Sequence, residues 1–201
     1  MSAPTLRFAA SSPPSMHAKL DALLSENRRL SEEQVTAEER LSTLATQFVA
    51  VASLHQAVDE AGVVAAVQEV VANLVGSEEF ILFDVHSDSG RLTPLASCGV
   101  DTADYRDLRV EDGLIGAAAA GRSFVVPDDS VPDRSGLTAA IPLRIDERVI
   151  GVLAIFRLLP QRPALDDGDR DLLELVGTHA ARALLFSRLY AGAAPVLERR
   201  A

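Results

Sequence analysis

Between residues 16 and 58 the chain repeats apolar side chains at steps of three and four, with no proline or glycine in the way. With Leu20 at heptad position a, the d positions are Leu23, Leu30, Ala37, Leu44, Val51 and Val58, and Leu41 and Phe48 continue the stripe. About six heptads exceed what one helix can bury on a small domain, so the repeat predicts a coiled coil and an oligomer. At 1.5 Å per residue the rod spans about 63 Å. Asn27 at a, followed by Gln34 at the next a, places polar groups in the seam. A buried asparagine at a costs stability but selects register and two parallel strands, because it hydrogen-bonds to its own copy. The expected homodimer interface is therefore Leu20, Leu23, Asn27, Leu30, Gln34, Leu41, Leu44, Phe48 and Val51.

The rest of the chain is long enough, and with nearly half its 201 residues apolar, rich enough in core formers, for one domain beyond the rod. Its formal charge of −10 disfavours nucleic acid and anionic membrane surfaces as direct partners. Cys98 is the sole cysteine, which excludes an intrachain disulfide and a cysteine-rich metal cage. A single lysine, Lys19, among many arginines, with abundant Ala and Val, suggests a GC-rich bacterial genome. No apolar run has the length of a membrane span. Residues 1–15, rich in Ser, Ala and Pro, read as a disordered tail without signal-peptide character, so the expected location is the cytoplasm.

Ser15 is placed to cap the long helix. After Val58, Gly62 suggests a break; Val63, Val67, Val70, Val71 and Leu74 then recur at helical spacing up to Gly76. Phe80–Val85 and Arg91–Ser97 flank the turn residues Ser87–Gly90 and predict a hairpin. A short alanine-lined helix follows between Gly113 and Gly121, then a strand at Ser123–Val126. Thr138–Ile145 and Val149–Phe156 form a second hairpin. Asp166 and Asp167 begin a last helix reaching about Tyr190, with residues 191–201 as a frayed tail. This gives a rod over 16–57 and a domain over 58–190. Hairpins with helices grouped at both ends predict an α+β fold, one antiparallel sheet with helices on one face. Alternation puts Phe80, Leu82, Asp84 and His86 on one side and Ile81, Phe83 and Val85 on the other. Both sides start apolar, so both are covered, one by helices and one by the irregular segments at 99–136.

Four pieces in this order resemble the GAF domain family: FILFDVHSDSGRLTPLASCG, DGLIGAAAAGRSFVV, TAAIPLRIDERVIGVLAIFR and LDDGDRDLLELVGTHAARALLFSRLY. The resemblance covers residues 55 to 190 and implies a sheet of about six antiparallel strands with a pocket on the side away from the helices. It also implies a regulatory role, binding small molecules or joining protomers in signalling chains. On that pattern the pocket candidates are Leu114, Ile115, Phe124 and Val126, facing Ile141 and Leu143 or their strand neighbours. Arg109 and Asp112 would stand at its mouth.

The chemistries known in the family find little support here. The Asn-Lys-Phe-Asp-Glu arrangement of its cyclic-nucleotide binders is absent, Cys98 stands where no bilin attachment is expected, and one cysteine cannot form the disulfide of a free methionine sulfoxide reductase. His179, with Val176 and Ala183 beside it, reads as a packing or interface residue, and His86 as exposed. Asp128-Asp129 and Asp166-Asp167 read as loop solvation and helix capping. The expectation is a non-enzymatic adaptor: a coiled-coil-linked homodimer without cofactor, acting on a protein partner. The alternative is a cytosolic small-molecule or redox sensor using the pocket.

Overall fold

A computed structural model describes residues 15–122, 136–162 and 164–198. Two compact units divide the chain, Met1–Thr43 and Leu44–Ala201. One helix, α1 (Met16–Gln56), contributes to both. It starts where Ser15 Oγ accepts the Ala18 N–H at 3.3 Å, relieving one of the first-turn donors that lack an intrahelical partner. In the first unit, Arg29 pairs with Glu26 at 2.6 Å and with Glu33 at 2.7 Å, spacings that bring side chains together on one helix face.

The second unit takes over at Leu44. The break expected at Gly62 falls earlier, because Asp59 supplies a better signal. Its carboxylate accepts the Gly62 N–H at 2.8 Å and caps α2 (Glu60–Val70), so Gly62 lies inside the first turn. α2 ends in a π-helical turn, Val71–Val75, and Gly76 stops it at φ 79°, where glycine carries no Cβ penalty.

β1 (Phe80–His86), β2 (Arg91–Cys98), β3 (Ala139–Ile145) and β4 (Arg148–Ile155) form an antiparallel sheet in the order β2-β1-β4-β3. The described residues thus contain four of the six or so strands expected, and the predicted strand at Ser123–Val126 lies outside them. In register, Phe80 lies between Cys98 on β2 and Ile155 on β4. The outer edge of β2 carries Pro94 next to a bulge at Leu95, and both features discourage pairing with a foreign strand. Residues 108–110 cover its start: Leu92 N–H reaches Leu108 O at 2.9 Å, and Val110 N–H reaches Gly90 O at 3.0 Å.

Strand alternation splits the core in two, as the sequence predicts. Phe80, Leu82, Ile141, Leu143, Leu153 and Ile155 pack under Ala50 and Leu54 of α1, under α2, and under α4 (Asp167–Glu198). Ile81, Phe83, Ala140, Val152, Ala154 and Phe156 face the other way, beneath α3 (Gly113–Ala119) and the irregular residues Val100, Tyr105, Leu108 and Val110. α4 approaches β3 at Gly177, where a Cβ would stand 2.9 Å from Pro142 O. Its other end corrects the expected frayed tail: the helix continues past Tyr190 to Glu198. Arg188 ties three elements together, reaching Glu60 of α2 at 3.0 Å and Asp84 of β1 at 2.9 Å.

Candidate functional site

The apolar stripe of α1 is open. Leu23 is 68% exposed and Phe48 73%, and Leu20, Leu30, Leu41 and Leu44 are exposed as well. Where α1 packs on its own domain it does so through Ala50 and Leu54, at 1% and 0% exposure. Those residues occupy heptad positions c and g, not a and d. The helix therefore spends one side on its own core and leaves the repeating side free, apart from the half-buried Val51 and from His55, an a position that meets α4. Asn27 and Gln34 are exposed on that side, and Gln34 donates to Glu38 at 2.9 Å.

The sheet face under α3 is largely filled by the protein's own side chains. Tyr105 stands edge-on to Phe83 and to Phe156, with ring centroids 6.1 and 5.6 Å apart. Ile115 is buried among them and Leu114 packs at the margin. The other sequence candidates are distributed differently. Ile141 and Leu143 turn to the α2–α4 side, because alternation gives the α3 side to Ala140. Their expected place in a pocket beneath α3 is thus taken by a strand neighbour. Arg109 bridges to Arg91 through its backbone, and its N–H donates to Asp112 Oδ2 at 2.8 Å, so these two residues shape the turn before α3. Phe124 and Val126 lie outside the described residues.

α3 packs closely on the turn that precedes it through Gly116. A Cβ on Gly116 would meet Arg109 O at 2.5 Å and Val110 O at 2.8 Å. This close approach draws in Ala118 and Ala119, both buried.

A model of the GAF domain matches residues 59–185. The chain belongs to the GAF domain family. No curated protein matches it. Among solved structures, the GAF domain of an Acinetobacter phosphoenolpyruvate-protein phosphotransferase is similar at 16% identity and TM-score 0.62, covering 75% of this chain and 98% of that one. The second GAF domain of DevS from Mycobacterium smegmatis is similar at 24% identity and TM-score 0.53, covering 66% and 98%. The fRMsr of Staphylococcus aureus in its reduced form follows at 16% identity and TM-score 0.55, covering 71% and 94%. At these identities the likeness is one of fold, within a family of signalling and sensor domains.

Three features of this GAF domain escaped the sequence reading. Arg144 of β3 donates through Nη2 to Gly121 O just after α3, while its buried Nε has no hydrogen-bond partner among the described residues. A charge inside an otherwise apolar strand was the available signal. Second, an open cleft of about 710 Å³ lies between the β1–β2 and β3–β4 turns, beside Leu185 and Arg188. Many of its polar groups are already engaged: Arg188 with Asp84, Arg148 with Ser87 at 2.9 Å, and His86 with Thr93 at 2.9 Å. It is assembled from two turns distant in sequence, so no local pattern announces it.

The third is a pair. His55 Nε2 of α1 and His179 Nδ1 of α4 lie 3.1 Å apart. Burial first, then the charges of His55 and Arg182, holds His179 below the ordinary histidine range. Cys98 is half-buried at the end of β2, with Gln68 Nε2 3.9 Å from its sulfur. Among the described residues no group of three or more His, Cys, Asp or Glu side chains is placed to hold a metal ion. No described helix is long and apolar enough to cross a membrane.

Proposed function

We propose that this GAF protein is a regulatory adaptor of bacterial signalling, in which two copies pair through the open stripe of α1. It then acts in the cytoplasm by binding another protein rather than by chemistry of its own. The observation that carries this reading is the division of labour on α1: positions c and g pack on the domain, while Leu23, Leu30, Leu44 and Phe48 stay exposed along one line. Withdrawing each such side chain from water contributes about 1.5–3 kcal/mol. A stripe of this length therefore carries enough apolar surface to hold two copies. The filling of the α3 side by Tyr105, Phe83 and Phe156 supports an interaction role over a ligand-binding one. Light scattering tests the pairing. The wild type should have the mass of two chains, and Leu23→Ala with Leu30→Ala and Leu44→Ala should reduce it to one or make association strongly concentration-dependent. A triple variant that stays a tight dimer would show that α1 is not what joins the copies.

One observation favours the second reading, a small-molecule sensor. The Nε of Arg144, without a partner among the described residues, is suited to an anionic group, because a guanidinium offers several fixed donors to a carboxylate or phosphate. On this reading a small carboxylate or phosphate compound raises the melting temperature of the wild type and leaves Arg144→Met unmoved. Equal responses in the two proteins would remove Arg144 from any sensing role.

A further inference from the structure

We propose that the His55–His179 contact is an acid-released latch fastening the last turns of α1 to α4. The stretch of α1 from Leu44 to Gln56 carries no other titratable side chain, and its buried anchors on the domain are Ala50 and Leu54. The histidine contact adds the polar link. At neutral pH an imidazole N–H of one ring donates to the bare nitrogen of the other across 3.1 Å. One added proton on the pair still leaves a donor and a bare acceptor facing each other across the contact. A second proton must occupy Nδ1 of His179. That removes the acceptor and sets two imidazolium ions at contact distance.

The surroundings do not compensate for the second charge. On α4 itself the nearest cation, Arg182, opposes protonation of His179. Glu174, five residues back, projects from a different side of the helix. From α2, Glu60 is held by Arg188 further along α4, Asp59 caps its own helix, and Glu69 is exposed near the far end. From the sheet, Asp84 is also taken by Arg188, while Arg144 and Arg148 are engaged with Gly121 and Ser87. Among the described residues, the charges that act on His179 are those of His55 and Arg182, and both disfavour its protonation.

The sign follows from linkage. The folded chain keeps His179 neutral where the unfolded chain would protonate it. The stability held in the contact is therefore complete above the unfolded histidine value, about 6.5, and is lost as pH falls through the lowered folded value. Both partners of the latch belong to one chain and to the second unit.

The full chain can be followed by NMR of its histidine Cε1–H groups, each assigned by its own His→Gln variant. His179 should titrate below the ordinary histidine value of about 6.5 and move upward in His55→Gln, a substitution at an exposed position that keeps a donor but removes the charge. Hydrogen exchange over residues 50–56, corrected for intrinsic rates, should accelerate several-fold between pH 7.5 and 5.0 in the wild type and much less in His55→Gln. The latch is overturned if His179 titrates at the ordinary histidine value, about 6.5, and ignores His55→Gln, or if exchange over 50–56 has the same pH dependence in both proteins.

Discussion

Gly116 shows how a single missing atom positions the roof of the sheet. Its neighbours are the carbonyls of Arg109 and Val110, backbone atoms that cannot swing away as a flexible side chain would. Gly116→Ala should cost about 1–3 kcal/mol in urea unfolding, because the added methyl forces α3 off the preceding turn. Gly113 is a useful contrast. It has φ 57° with nothing within 4 Å of a Cβ, so alanine there meets backbone strain alone, about 1 kcal/mol. If the two variants unfold together, the close approach at Gly116 is unimportant. Arg188 belongs to the same scale. Its value lies in joining α2, β1 and α4 through Glu60 and Asp84, yet its partial exposure screens both pairs and limits what they contribute.

At the scale of the element, α4 owes its fixed start to a reciprocal cap. Asp169 N–H donates to Asp166 Oδ1 at 2.8 Å, and Asp166 N–H donates to Asp169 Oδ2 at 3.0 Å. The buried Asp169 also receives Arg162 at 3.0 Å, and the same guanidinium donates to Leu74 O at 2.9 Å and Val75 O at 2.7 Å. One arginine thereby joins the end of the π-helical turn to the beginning of α4, satisfying carbonyls that a helix end leaves without partners. Asp169→Ala removes the reach-back half of the cap, while its backbone N–H still donates to Asp166, and leaves a half-buried guanidinium without its strongest partner. The expected loss is about 2–4 kcal/mol by thermal or urea unfolding. Asp166→Ala, which keeps the Arg162–Asp169 pair, should lose about 1 kcal/mol. Equal losses would mean that the cap, and not the arginine tie, fixes the helix. The sequence pointed to Asp166 and Asp167 as helix-capping residues. Asp169, the residue that does most here, was not singled out, because its partner Arg162 comes from the Pro-bearing link before the helix.

For the molecule as a whole, the two faces of the sheet have different prospects. The α2–α4 side is sealed by helices, and its outer surface continues into apolar exposure at Leu185, Phe186, Leu189 and Tyr190. The α3 side holds the GAF family's expected pocket position, here occupied in its described part by Tyr105 and its aromatic neighbours. On the regulatory reading proposed above, the response runs through how the helices are held. The test of pairing by α1 and the test of the histidine latch therefore examine separate links in one regulatory reading. Loss of the first leaves the second standing.

Periodicity alone determined most of the architecture: the long helix, both hairpins, the two-sided core and the closing helix. Those features depend on spacing along the chain, and burial of apolar surface enforces the spacing. The GAF family was legible for the same reason, since its pattern is an order of elements. Tertiary structure decided what depends on meeting across the chain. It placed Ala140 rather than Ile141 beneath α3, brought Arg144 to Gly121, and built a cleft from two separate turns. It also set His55 against His179, residues 124 positions apart that each looked unremarkable alone. The physical reason is that a hydrogen bond or a buried charge needs its partner within a few ångströms. Sequence spacing fixes such distances within one element, and between elements only the packed fold does.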